Sequence, residues 1–556
     1  MAPMFATFML NPKKQEWVEK TFAGLSLNEK IGQMVCEEMT TFKKIRDAGQ
    51  FLEKYPIGSL FVGAEIIDPN SMRKDHVSDA AALVRAKSRI PALFCGDFEH
   101  GIGSAIQGFT RLPDLLALGA TNTPAFAYEY GRIIAEEART LGIHWTFGPV
   151  CDLNTNHENP VVNVRSAGDH PDHVIKMLRE LVKGMQEHGC ASCPKHFPGD
   201  GTDTRNQHYV TSLNLLSKTD WDQQHGKVFK ALIEAGAMSI MIGHLGFPAY
   251  EAMDSEKQKF RPATASRRLM TDLLRGELGF QGIILTDALS MCGYHSWDDY
   301  AERTIDSFNG GADVFLWPET EKFFELVGSA LKDGRISSQR LDDSVKRILC
   351  FKAALGLDEA PSEVEPFSAA AMEKNSGIAG QVAERSLTLL RNRSHTIPLQ
   401  LKPGAKVLLL VTPESDLAMS KLEPTYYGLT ARGYEVVFTK FSSFHTVRPV
   451  IGSFDAVILA CNGKPAYGDH RGFNTTIWSF MSCREMKQLV VVSYGTPYFL
   501  YDIASAETYV NAYSDSPATQ KAVIKALLGE IPFHGVSPVG IKHCFDIGDG
   551  ICGDEL

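Results

Sequence analysis

Two stretches of this chain carry residue types that could make and break a bond to carbon. The first, KHFPGDGTDTRNQH (Lys195 to His208), gathers one lysine, two histidines and two aspartates in a segment broken by Gly and Pro. Gly and Pro at that density place these side chains on a loop. The second, ILTDALSM (Ile284 to Met291), is an apolar run that delivers one carboxylate, Asp287, at its end. A carboxylate can attack an electrophilic carbon. A histidine, with a pKa near neutrality, can pass a proton to a leaving oxygen and take one from water. On spacing alone Asp287 could equally cap the next helix, and His208 could be a surface residue.

Apolar runs bounded by turn residues recur through the first 320 residues: 57–64, 90–99, 143–154, 189–197, 237–247, 282–291 and 312–318. Longer segments with helical spacing lie between them, such as PAFAYEYGRIIAEEARTLG and HVIKMLRELVKGMQEHG. Strands alternating with helices mean βα units on a parallel sheet. Seven or eight units in about 350 residues fit a (β/α)8-type TIM barrel better than a doubly wound sheet, and no GxGxxG or Walker loop opens a helix. A barrel of this kind collects catalytic groups at the C-terminal ends of its strands, where Lys195, His196 and Asp287 would stand.

The barrel is expected over residues 1–356. LDEAPSEVEPFSAAAMEKNSG (357–377), rich in acid, Pro and Ser, reads as a linker. From 378 to 556 a smaller α/β sandwich is expected, with strands at 406–413, 434–441, 454–463, 488–497 and 507–513. It carries no cluster of acid–base residues, so no chemistry is assigned to it.

Net charge of −10 without a Lys/Arg stripe argues against nucleic acid as a partner. No apolar run approaches the roughly 20 residues of a membrane span. The patch in MAPMFATFML has no basic residues before it and no small-residue cleavage site, so it reads as an ordinary start. Eleven cysteines at irregular spacing, several inside apolar runs, suit buried free thiols in a reducing cytoplasm. Cys190-Ala-Ser-Cys193 lies in such a run with no second CxxC at zinc spacing, so it reads as structural.

The two opening motifs resemble the active-site motifs of family 3 glycoside hydrolases, nearest the β-N-acetylglucosaminidase branch. The resemblance covers most of the chain. AERSLTLLRNRSHTIPL (383–399) is similar to the family's entry into its second domain, and GEIPFHGVSPV (529–539) to another signature. It implies a retaining exo-glycosidase acting on a small carbohydrate, terminal β-linked N-acetylglucosamine. TDALSM would supply the nucleophile, Asp287, which forms a covalent glycosyl-enzyme. His208, twelve residues after His196, matches the acid/base histidine. Lys195 and His196 match the Lys-His pair that binds sugar hydroxyls. Asp97 in CGDFEHG and Arg165 in NPVVNVRS match residues that hold the terminal sugar.

Two departures stand out. The branch usually pairs its histidine with an Asp two residues earlier, where this chain has Asn206. An amide can orient the ring but cannot stabilise the imidazolium. Either Asp200 or Asp203 supplies the charge, or Asn206 is an introduced replacement. The family often has an Arg eight residues after the Asp97 position, where this chain has Ala105, which bears on substrate preference more than on mechanism. No cofactor or metal is called for. A metal-dependent barrel hydrolase could use His196, His208, His244 and Asp287, but such enzymes place His-x-His on an early strand and this chain has none. Two other readings stay open: a phosphorylase of the same family, and an inactive sugar-binding relative.

Overall fold

The computed structural model describes residues 2–41, 47–63, 73–359, 367–412, 416–463 and 472–553. They form two compact units. The first is built from the described residues of Met1–Thr110, Tyr128–Asp152 and Leu178–Ala371, the second from those of Arg111–Ala127, Leu153–Met177 and Met372–Leu556.

The first unit is a (β/α)8-type barrel. Its strands are β1 (Val35–Glu38), β2 (Ser59–Phe61), β3 (Leu93–Gly96) and β4 (Trp145–Thr146). The segment 190–197 takes the fifth place. It bridges β4 in parallel through Trp145 and Ala191, and bridges the next strand through Phe197 and Ile242. After it come β5 (Ser212–Leu213), β6 (Ser239–Ile242), β7 (Leu245–Gly246), β8 (Ile283–Thr286) and β9 (Phe315–Leu316), of which β5 and β7 pair only with each other. The ring β1–β2–β3–β4–(190–197)–β6–β8–β9 closes when Val35 pairs with Phe315, and every step is parallel. Strands β2, β3, β6, β8 and β9 are buried at every residue, as parallel strands covered on both faces must be.

The strand that ends at Asp287 is pinned from below. Asp313 precedes β9, and its Oδ2 accepts the N–H of Ile284 at 3.0 Å and Arg275 Nη2 at 2.6 Å. Its Oδ1 accepts Arg347 Nη1 at 2.8 Å and the Ser344 hydroxyl at 2.6 Å. Burial works against the Asp313 charge, but Arg347, Arg275 and Arg340 hold its carboxyl below the usual range.

The second unit carries a six-stranded sheet. Its strands are β10 (Thr388–Asn392), β11 (Lys406–Thr412), β12 (Glu435–Lys440), β13 (Ala456–Cys461), β14 (Leu489–Ser493) and β15 (Thr508–Asn511), in the order β10–β15–β14–β13–β11–β12. Only β10 runs antiparallel, against β15. One apolar core packs on each face. Leu116, Ala117 and Val164 join Leu408, Val457 and Val491 in one of them, which is why 111–127 and 153–177 belong to this unit. Of the stretch 357–377, residues 360–366 lie outside the described residues, and from Ala369 the chain is helical to Ser386. Among the described residues no helix is long and apolar enough to cross a membrane.

Removing the Asp313 carboxylate leaves Arg275 and Arg347 without their shared counter-ion in a buried place. Asp313→Ala should therefore destabilise the first unit by about 3–5 kcal/mol, measured by urea unfolding. Because the folded-state pKa of Asp313 is depressed, its contribution is present above the unfolded carboxylate pKa. It should fade as pH falls through the folded value, and the variant should lack that part of the acid sensitivity.

Candidate active site

Asp287 is the first residue after β8, and its N–H donates to Ile242 O of the neighbouring β6 at 2.9 Å. That bond, with the Asp313 clamp below, fixes where the carboxylate leaves the barrel. Its Oδ1 accepts the N–H of Ala288 at 2.7 Å. Burial opposes ionisation, yet the neighbouring imidazoles of His196, then His244 and His208, hold the carboxyl below its ordinary value. Burial also depresses the pKa of His244. Near neutrality His244 is therefore uncharged, and the pull on Asp287 comes foremost from His196.

Lys195 and His196 end the fifth barrel segment, and the peptide bond between them is cis. Lys195 is buried, and its Nζ lies 2.5 Å from Asp97 Oδ1 and 2.6 Å from Glu99 Oε1. Asp97 follows β3 directly and its side chain is 47% exposed, so it keeps a face toward solvent. His196 is gripped twice by the fully buried Asp152. Its ring Nδ1 sits 2.7 Å from Asp152 Oδ2, and its N–H donates to Oδ1 at 3.0 Å. Burial works against the Asp152 charge, and His196 more than offsets it. Oδ1 of Asp152 also accepts the N–H of Asp200 at 2.8 Å, which fixes the start of the loop leading to His208.

The protonation pattern of His208 follows from hydrogen-bond donors and acceptors. Asn206 Oδ1 accepts the N–H of His208 at 2.9 Å, so that atom must be the amide oxygen. The same oxygen lies 2.7 Å from His208 Nδ1, so Nδ1 carries a proton and donates. The lone pair of the neutral ring is then on Nε2. The carboxylates of Asp200 and Asp203 hold other parts of the loop. Asp200 accepts from the Gly201 N–H at 2.7 Å and from Gln207 Nε2 at 3.3 Å. Asp203 accepts Arg205 Nε and the Leu213 N–H, each at 2.8 Å.

The His208 loop rests on the chain that follows Asp287. Cys292 N–H donates to His208 O at 2.9 Å and Gly293 N–H to Gln207 O at 3.2 Å. A Cβ on Gly293 would stand 2.2 Å from Gln207 O, so only glycine permits this approach.

Of the residues expected from sequence, Asp97, Lys195, His196, Asn206, His208 and Asp287 all belong to the first unit, where hydrogen bonds and charge link them. Arg165 belongs to the second unit, where its Nη1 donates to Val161 O at 2.9 Å, and its place beside a sugar rests on its motif alone. The sequence reading passed over Asp152, Glu99 and Gln207. Asp152 did carry a signal, since it ends an apolar run as Asp97 and Asp287 do. All eleven cysteines are free, and the pKa values of Cys190 and Cys193 are pushed up to about 12 by burial.

A model of the glycosyl hydrolase family 3 N-terminal domain matches residues 26–351. A beta-N-acetylglucosaminidase/beta-glucosidase of Cellulomonas fimi is 29% identical over 96% of this chain and 97% of its own. Among solved structures, the beta-glucoside phosphorylase BglX bound to 2FGlc superposes with a TM-score of 0.84 at 28% identity, covering 96% of this chain and 98% of its own. A family 3 beta-N-acetylglucosaminidase from Paenibacillus sp. str. FPU-7 does so with a TM-score of 0.81 at 26% identity, covering 93% and 99%.

A methyl group at position 293 should push the His208 loop away without touching Asp287. Gly293→Ala is expected to cost about 1–3 kcal/mol, as overpacking does. Amide hydrogen exchange should quicken in 200–210, while β8 and β9 keep wild-type protection.

Proposed function

The chain belongs to glycosyl hydrolase family 3, and from that premise we propose that it is a retaining exo-β-N-acetylglucosaminidase with Asp287 as nucleophile and His208 as acid/base. The observation that carries the reading is the Asn206–His208 hydrogen bond. It fixes the ring through Nδ1 with the lone pair of the neutral ring on Nε2, on a loop tied to the chain just past Asp287. In the first step an Asp287 oxygen bonds to the anomeric carbon as the glycosidic bond breaks, and protonated His208 gives Nε2–H to the departing oxygen. In the second, water attacks that carbon, its proton passes to Nε2, and the bond to Asp287 breaks. Asp97, Lys195 and His196 would hold the hydroxyls of the terminal sugar, with Arg165 added from its motif. The N-acetyl preference rests on the names of the relatives.

One observation favours a second reading. An amide, not a carboxylate, lies against His208 Nδ1, while Asp200 accepts from Gln207 and Asp203 from Arg205. An amide at that nitrogen repels phosphate less than a carboxylate there would, so phosphate could replace water in the second step.

A panel of aryl β-glycosides, assayed with and without phosphate, tests both readings. Hydrolysis of the N-acetylglucosaminide with the β-anomer released first, and no dependence on phosphate, is the expected result. Sugar 1-phosphate as the main product would select the phosphorylase. Absence of any turnover would leave an inactive sugar-binding relative.

Two substitutions probe the charges. Asn206→Asp places an anion on Nδ1–H and favours the imidazolium. The alkaline limb of the pH profile should move upward, and each pKa unit gained corresponds to about 1.4 kcal/mol, or tenfold. Asp152→Asn takes away the carboxylate that grips His196, so the ring that pulls most on Asp287 is no longer held in place and the Asp287 pKa rises toward its ordinary value. The acid limb of kcat/KM should move upward, with a loss of roughly 10²-fold from misplacement of His196.

A further inference from the structure

We infer that Gln207 is a positioning residue that locks the acid/base loop onto the nucleophile's strand ends, an inference that rests on the proposed roles of His208 and Asp287. Gln207 is fully buried although its neighbour His208 is only partly so and Tyr209 is exposed. Its side chain cannot be serving solubility. Its Oε1 accepts the N–H of His244 at 2.7 Å, which identifies that atom as oxygen. Nε2 is then the donor, and it reaches Asp200 Oδ2 at 3.3 Å. Both ends of one amide are thus used inside the site.

Each end leads to a group of the mechanism. His244 is uncharged near neutrality, so its Nε2–H donates to Ala288 O at 2.9 Å, and Nδ1 accepts from the Thr264 hydroxyl at 2.8 Å. Ala288 N–H in turn donates to Asp287 Oδ1 at 2.7 Å. On the other side, Asp200 N–H donates to Asp152 Oδ1 at 2.8 Å, and Asp152 grips His196. The chain Asp287–Ala288–His244–Gln207–Asp200–Asp152–His196 is unbroken, and His208 is the residue next to its central member. The backbone of Gln207 completes the lock by accepting Gly293 N–H at 3.2 Å. The residue between the histidine and its orienting amide is therefore the one that sets the height of the His208 ring above the Asp287 carboxylate.

Loss of the amide should disturb proton transfer more than carbon chemistry. Asp287 keeps its own anchors, Ile242 O and Ala288 N–H. The His208 loop loses two of the bonds that hold it. A substrate whose leaving group departs without a proton should hardly notice, and one that needs protonation should suffer.

The test compares Gln207→Met, which keeps the volume and removes both hydrogen bonds, with wild type and with His208→Ala. Two aryl β-N-acetylglucosaminides are used, one releasing 2,4-dinitrophenolate and one releasing phenol. For Gln207→Met, kcat/KM on the dinitrophenyl substrate should stay within about threefold of wild type, and on the phenyl substrate it should fall on the order of 10²-fold, the low end of what general acid catalysis contributes. Azide, which attacks the glycosyl-enzyme without needing a base, should raise kcat on the dinitrophenyl substrate in the variant but not in wild type, releasing glycosyl azide. Gln207→Glu keeps the acceptor for His244 but sets a second carboxylate against Asp200. It should show the same split if the methionine variant does not fold. Equal losses on both substrates with no azide effect, or no loss on either, would overturn the inference for Gln207. A His208→Ala enzyme without leaving-group dependence would instead overturn the acid/base reading beneath it.

Discussion

An ionised carboxylate at the rim of a buried barrel strand is the constraint on which the rest of this site depends. Asp287 is surrounded by protein, and burial alone would drive it toward its neutral, non-nucleophilic form. The imidazoles facing it, His196 above all, reverse that tendency. His196 in turn is held by a second buried carboxylate, Asp152, through both ring and backbone. Asp152, His196 and Asp287 are thus linked in a short array, by hydrogen bonds on one side and by charge on the other. Such an array is stable only while its geometry is kept, because a charge left without its partner in a buried place costs several kcal/mol.

The fold supplies that geometry from two directions. Below the site, Asp313 ties the start of β8 to three arginines and Ser344, so the strand that ends at Asp287 cannot slide. Above it, the loop from Asp200 to His208 is secured at Asp152, at His244 and along Cys292–Gly293. The rim is where residues from different strands converge, and here Asp97, Asp152, Lys195, His196 and Asp287 come from four barrel positions. Asn206 places a neutral group against His208. It fixes a tautomer by donor and acceptor logic and adds no charge, which separates the orientation of His208 from its electrostatic help.

Much of this was legible in the residues. Apolar runs that end in a carboxylate marked β3 with Asp97 and β8 with Asp287, because parallel barrel strands are buried on both faces and their ends are not. Strand β1 was missed: Val35–Glu38 is VCEE, two of its four residues are acidic, and it follows the helix Leu27–Gln33 almost without a break. β10 was missed inside a motif read only as a domain entry. The expected linker took its character from acid and Pro, yet its AAAMEK stretch favours helix, and Ser368 Oγ accepts Ala371 N–H as the helix begins. Gln207 could not have been found by pattern. A glutamine in a polar loop is ordinarily solvated, and its role exists only because His244 and Asp200, 37 and seven residues away in sequence, converge on it. The packing of 111–127 and 153–177 with the second sheet was hidden for the same reason, since the partners lie hundreds of residues downstream.

The proposed chemistry requires Asp287 to form a covalent bond to the sugar. Incubation of the native enzyme with a 2-deoxy-2-fluoro glycosyl fluoride, followed by intact-mass and peptide mass spectrometry, tests this directly. The predicted result is the addition of one fluorosugar, carried by the peptide containing TDALSM and located on Asp287, with activity lost in proportion to labelling. A label on another residue, or inactivation without any covalent adduct, would contradict the account.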